Sequence, residues 1–141
     1  MTSFHRTVSL YRQGAHTLPG EYYTSPDILA EEGEQLFARS WHCVGRASKL
    51  SQPGDFIVRT VAGESLIVVR GRDGEVRALV NVCRHRGSHV CYEREGSSRV
   101  FVCPYHAWTF ELDGRLRSAR HMGEGFDPSA HSLAKIHVRV L

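Results

Sequence analysis

Two short segments constrain this chain more than anything else in it. The first reads Val82-Cys83-Arg84-His85-Arg86-Gly87 and the second Val102-Cys103-Pro104-Tyr105-His106. The pattern is C-x-H, seventeen residues, then C-x-x-H. Each segment offers one thiol and one imidazole, and each directly follows an apolar run that reads as a strand. The four side chains are therefore expected at the tips of two loops, where they can clasp a metal group between them. The alternative, four unrelated core residues, leaves the repeated Cys-plus-His pairing without a cause.

Zinc and an iron–sulfur cluster compete for such a set. Zinc sites commonly take two cysteines from one knuckle and two histidines from another. Here each half mixes the two ligand types. A diiron cluster accounts for the mixing: each loop gives its Cys to one iron and its His to the other, so that one iron is Cys₂ and the other His₂. The reading is therefore a [2Fe–2S] cluster on Cys83, His85, Cys103 and His106, with a zinc-binding interaction module as the competitor.

The surrounding pattern is that of short strands. Asp55 to Thr60, Ser65 to Arg70 and Glu75 to Val80 are rich in Val, Ile and Leu, and Arg99 to Val102, Thr109 to Leu112 and Arg115 to Ser118 add shorter runs. Asp73-Gly74, Asp113-Gly114 and Ala62-Gly63 mark turns between them. Together these predict a mainly β, antiparallel architecture of small sheets. Before Trp41, residues 1–20 read as irregular and a short helix follows. Ser25 is its expected N-cap, Pro26 its first residue and Asp27 a favourable charge at its positive end. Ile28, Leu29, Leu36 and Phe37 supply an apolar face, and Gly33 weakens the middle. At the far end, Ile136, Val138 and Val140 alternate with His137, Arg139 and Leu141, as in a half-buried strand.

Composition excludes several classes. With 141 residues, one core is expected. Lys plus Arg exceed Asp plus Glu by only 18 − 15 = 3, with no dense basic stripe, so nucleic-acid binding has no support. No apolar run is long enough to span a membrane, and the N-terminus has no apolar signal region. The expected compartment is the cytoplasm, where paired cysteines are more often metal ligands than disulfides. Cys43 and Cys91 read as buried structural thiols.

CRHRG at Cys83 to Gly87, CPYHAWTFELDGRL at Cys103 to Leu116 and the upstream LPGEYYTSPDILAEEGEQLFARSWHCVGR resemble the N-terminal region of Rieske non-heme iron oxygenases, the α subunits of ring-hydroxylating dioxygenases and their monooxygenase relatives. The resemblance covers about five-sixths of the chain. It implies a Rieske-type β-sandwich with two cluster-binding loops and a short N-terminal helix. It also implies a lead-in over residues 1–40, a Rieske [2Fe–2S] domain over 41–120, and over 121–141 the start of a connection to a catalytic domain that lies elsewhere. One departure is Ala107, where the family more often has Gly. Respiratory Rieske proteins carry two further cysteines that staple the loops. Here Ser88 and Tyr105 stand at those positions, so no such disulfide is expected.

The resemblance further implies electron transfer from a reductase or ferredoxin, through the cluster, to a mononuclear Fe(II) that activates O₂. That iron is expected only in the missing catalytic domain, commonly on a neighbouring subunit, which implies a homotrimer. The final strand stops without a turn or partner, and the chain reads as truncated, so no catalytic residue is expected in it. A free-standing Rieske ferredoxin is the alternative. Asp127, His131 and His137 do not match the D-x-x-H-x₄-H spacing of the mononuclear site. His5, His16, His42, His89 and His121 read as surface or packing residues. Around the loops, Gly87 is expected to supply a turn, Tyr105 and Trp108 to pack around the cluster, and Arg86 to orient the loop, meet an acidic partner or simply be solvated. The substrate is not legible.

Overall fold

A computed structural model describes residues 13–141. The irregular reading of residues 1–12 and the reading of His5 lie outside the described residues.

The helix α1 (Pro26–Gln35) starts where its signals put it. Ser25 is extended, and its Oγ accepts from the Ile28 N–H at 3.4 Å, with Pro26 in the first turn. Its apolar face is not packed, however. No residue of the helix is buried, and Leu29 is 62% exposed. Leu36 and Phe37 fall beyond its end, at the C-cap and in a short 3₁₀ turn.

Eight strands follow: β1 (Asp55–Val61), β2 (Glu64–Arg70), β3 (Val76–Val80), β4 (Glu95–Ser97), β5 (Phe101–Val102), β6 (Thr109–Phe110), β7 (Leu116–Ser118) and β8 (Lys135–Ile136). Every pairing is antiparallel, as expected. One sheet has the order β4-β1-β2-β3-β8 and the other β5-β6-β7. The β1–β2 hairpin turns on Ala62 and Gly63 alone, both at positive φ, which is the twist a two-residue hairpin requires.

The two sheets share one core. Phe56, Ile67, Val69 and Leu79 of the larger sheet meet Phe101, Phe110 and Leu116 of the smaller, with Trp108 and Leu133 filling the space between. The alternate residues Ile57, Val68 and Ala78 face the other way and form a second cluster with Leu50. The centre of β2 is therefore buried on both faces, which is why it reads as a continuous apolar run and not as an alternation.

Two features depart from expectation. Strand β4 was not foreseen, since all three of its residues are exposed and it exists only because β1 offers an edge. The terminal alternation forms only a two-residue strand on Ala78 and Leu79; Ile136 is 44% exposed, while Val138 packs on the second cluster.

Candidate metal centre

The two ligand segments fold into loops with one hydrogen-bond plan. In the first, the Cys83 N–H donates to Ser88 O (2.8 Å) and the Gly87 N–H to Cys83 O (3.0 Å). In the second, the Cys103 N–H donates to Trp108 O (2.8 Å) and the Ala107 N–H to Cys103 O (2.9 Å). Each cysteine thus opens a loop closed by the residues four and five places on. The fourth residue sits in the left-handed region in both cases: Gly87 at φ +73° and Ala107 at φ +55°. Glycine enters that region freely and alanine does so with strain.

The plan brings the four expected residues together. Cys83 and Cys103 are 3% and 2% exposed at the edge of the shared core. Burial pushes the Cys83 thiol up, the backbone amides of His85 and Arg86 oppose that, and the neighbouring Cys103 thiol raises it further. Both cysteines belong to the one buried cluster that the two sheets share. On the outer side, the His85 and His106 rings meet edge to face with centroids 4.6 Å apart. Desolvation lowers the basicity of His85, and the charges of His106 and Arg86 lower it further.

Trp108 is buried and stacks flat on His85, with centroids 4.8 Å apart and planes 9° apart. Tyr105 lies against His106 at 3.9 Å but is mostly exposed. The two cysteines thus lie on the buried side and the two rings meet on the outer side. Among the described residues no cluster of three or more His, Cys, Asp or Glu forms a single-ion site. The donor set fits a two-metal group: two soft thiolates for one metal and two imidazoles for the other.

The remaining residues sort plainly. All four cysteines are free. Cys91 is buried, as expected, and its thiol donates to Glu93 Oε2 at 3.3 Å. Cys43 is exposed, although the neighbouring Val44 packs on the second cluster; the expectation of a buried thiol there was wrong. Asp127 caps a 3₁₀ turn through Ser129, and His131 Nδ1 is 2.9 Å from Asp127 O with its ring against Trp108 and Phe126. Those groups serve local structure. One residue near the centre went unremarked in the sequence: Asn81, the polar interruption in the apolar run Ala78 to Val82.

Comparison with known proteins identifies the domain family. A family model described as the Rieske [2Fe-2S] domain matches residues 40–136. The chain is 44% identical over 126 residues to the carnitine monooxygenase oxygenase subunit of Acinetobacter baumannii, covering 88% of this chain and 34% of that protein. It is 43% identical to the glycine betaine monooxygenase oxygenase subunit of Chromohalobacter salexigens, covering 90% and 29%. The apo crystal structure of a quaternary ammonium Rieske monooxygenase superposes with a TM-score of 0.82 at 44% identity, over 87% of this chain and 36% of that one. The chain spans about a third of the length of these proteins.

Proposed function

Because the chain belongs to the Rieske [2Fe-2S] domain family, we propose that Cys83 and Cys103 hold one iron of a [2Fe–2S] cluster and His85 and His106 the other. The observation that carries this reading is that paired loops place two buried cysteines on the core side and two meeting rings on the outer side. When bound, such a cluster supplies storage of a single electron. The chain's own residues set its surroundings. Burial of Cys83 and Cys103 keeps water from the thiolates. Trp108 fixes the plane of the His85 ring. His106 remains at the surface under Tyr105, as the ring through which an electron reaches a partner.

In the longer proteins that this chain resembles, the cluster would relay electrons from a reductase or ferredoxin to a mononuclear iron that activates O₂. The relatives' names, carnitine and glycine betaine monooxygenase, support a quaternary ammonium substrate over an aromatic ring. A homotrimer that passes electrons between subunits belongs to the same reading. Among the described residues no helix is long and apolar enough to cross a membrane.

The test is the chain purified without oxygen. It should be red-brown and contain about two iron and two acid-labile sulfide per chain, with an electron paramagnetic resonance signal on reduction. Stoichiometric zinc without sulfide would overturn the assignment.

A further inference from the structure

Asn81 is the only polar side chain fully buried among the described residues, at 0% exposure. A buried amide is costly unless its hydrogen bonds are made. Here all four are. Its Oδ1 accepts from the Val90 N–H (3.0 Å) and the Cys91 N–H (2.9 Å), while its Nδ2 donates to Cys91 O (2.6 Å) and Ser65 Oγ (3.1 Å). Two acceptor sites and two donors are the whole capacity of the group.

Placement gives these bonds a purpose. Asn81 lies two residues before Cys83, and Phe101 lies two residues before Cys103. At the second loop the chain returns as a strand, and β5 and β6 pair Phe101 with Phe110 and Val102 with Thr109. At the first loop no strand returns. The segment Val90–Cys91 runs back past Asn81 without backbone pairing to it, and the amide side chain supplies the bonds that a strand would have made.

We infer that Asn81 is a positioning residue for the metal centre: its side chain replaces the missing return strand of the first loop and so fixes where Cys83 and His85 present their donor atoms. A leucine has the same branching and the same number of side-chain heavy atoms, yet the position holds an amide with all its bonds made, so its bonds explain it. The inference rests on the ligand assignment proposed above, but its first test does not.

Hydrogen exchange on the metal-free 141-residue chain reads the bonds directly. The Val90 and Cys91 amides should exchange as slowly as the Cys103 amide; exchange as fast as an exposed loop amide overturns the inference, whether or not a cluster ever forms. In the cluster-loaded chain, Asn81→Leu should broaden and shift the electron paramagnetic resonance signal and speed iron release to a chelator by about tenfold or more, since three backbone groups lose their partners. Val68→Ala, in the cluster on the opposite face of the sheet, should lower Tm yet leave signal and release rate unchanged. Asn81→Leu with the original signal and release rate, or Val68→Ala moving both as far, would overturn it. Should Asn81→Leu fail to fold, the exchange measurement decides. If the unaltered chain takes up no iron and sulfide, the ligand assignment fails and the exchange result still stands for Asn81.

Discussion

The two loops of the candidate centre are closed by the same backbone bonds but built on different foundations. The second stands on a β-hairpin, so its shape follows from ladder pairing between neighbours in sequence. The first stands on β3 on one side and on a side-chain amide on the other. Their rings differ in the same way. Apart from the edge contact the two rings share, His85 of the first loop is stacked on buried Trp108, which the second loop supplies, whereas His106 is covered by an exposed tyrosine of its own loop. A loop with a local scaffold can afford an exposed ring, while a loop without one is held by distant residues. The more enclosed ring is consequently the one whose position depends on tertiary contacts.

The largest effect should be shared by both loops. Cys83→Ser and Cys103→Ser should each abolish the cluster, because each removes a thiolate from the same iron, and iron and sulfide analysis should find neither element. Retention of the cluster by either variant would break the equivalence of the loops. Cys43→Ser and Cys91→Ser should leave iron and sulfide unchanged.

A smaller effect separates the loops by their turn residue. A Cβ added at Gly87 meets nothing within 4 Å, so Gly87→Ala is strained only through its φ of +73°. It should cost about 1 kcal/mol in denaturant unfolding. Ala107→Gly should instead stabilise by about 0.5–1 kcal/mol, as the strain at φ +55° is relieved. Equal signs for the two changes would show that the loops do not share a conformation.

The smallest effect concerns the thiol just beyond the first loop. Burial, with help from Glu93, pushes Cys91 up from the ordinary thiol value of 9.0 to about 11. The folded state therefore favours the protonated thiol. The stabilisation from this thiol is fully present below pH 9.0 and is lost as pH rises through about 11. Iodoacetamide at pH about 8 should modify exposed Cys43 and spare Cys91, as read by mass spectrometry. Modification of Cys91 as fast as Cys43 would mean that the first loop opens readily, against the closure ascribed to Asn81.

What the sequence determined by itself is local. The C-x-H and C-x-x-H spacings put ligands at set offsets from strand ends. Ser25-Pro26 specifies a helix start because cap and dihedral preferences act within a few residues, and Ala62-Gly63 and Asp113-Gly114 specify turns for the same reason. Trp108 beside His106 was legible as a packing residue. What only the tertiary structure decided depends on groups far apart in the chain. Strand β4, polar and exposed, has no pattern of its own and forms because β1 presents free backbone groups. Cys43 and Cys91 are the same residue type, and only the fold leaves one exposed and buries the other. Leu29 lies on an apolar helical face that finds no cover among the described residues, so periodicity could name the face but not its partner. Asn81 looked like a break in an apolar run, and its role appears only when Val90 and Cys91 come back beside it. A hydrogen bond needs both partners within about 3 Å, and sequence spacing fixes that distance only for near neighbours.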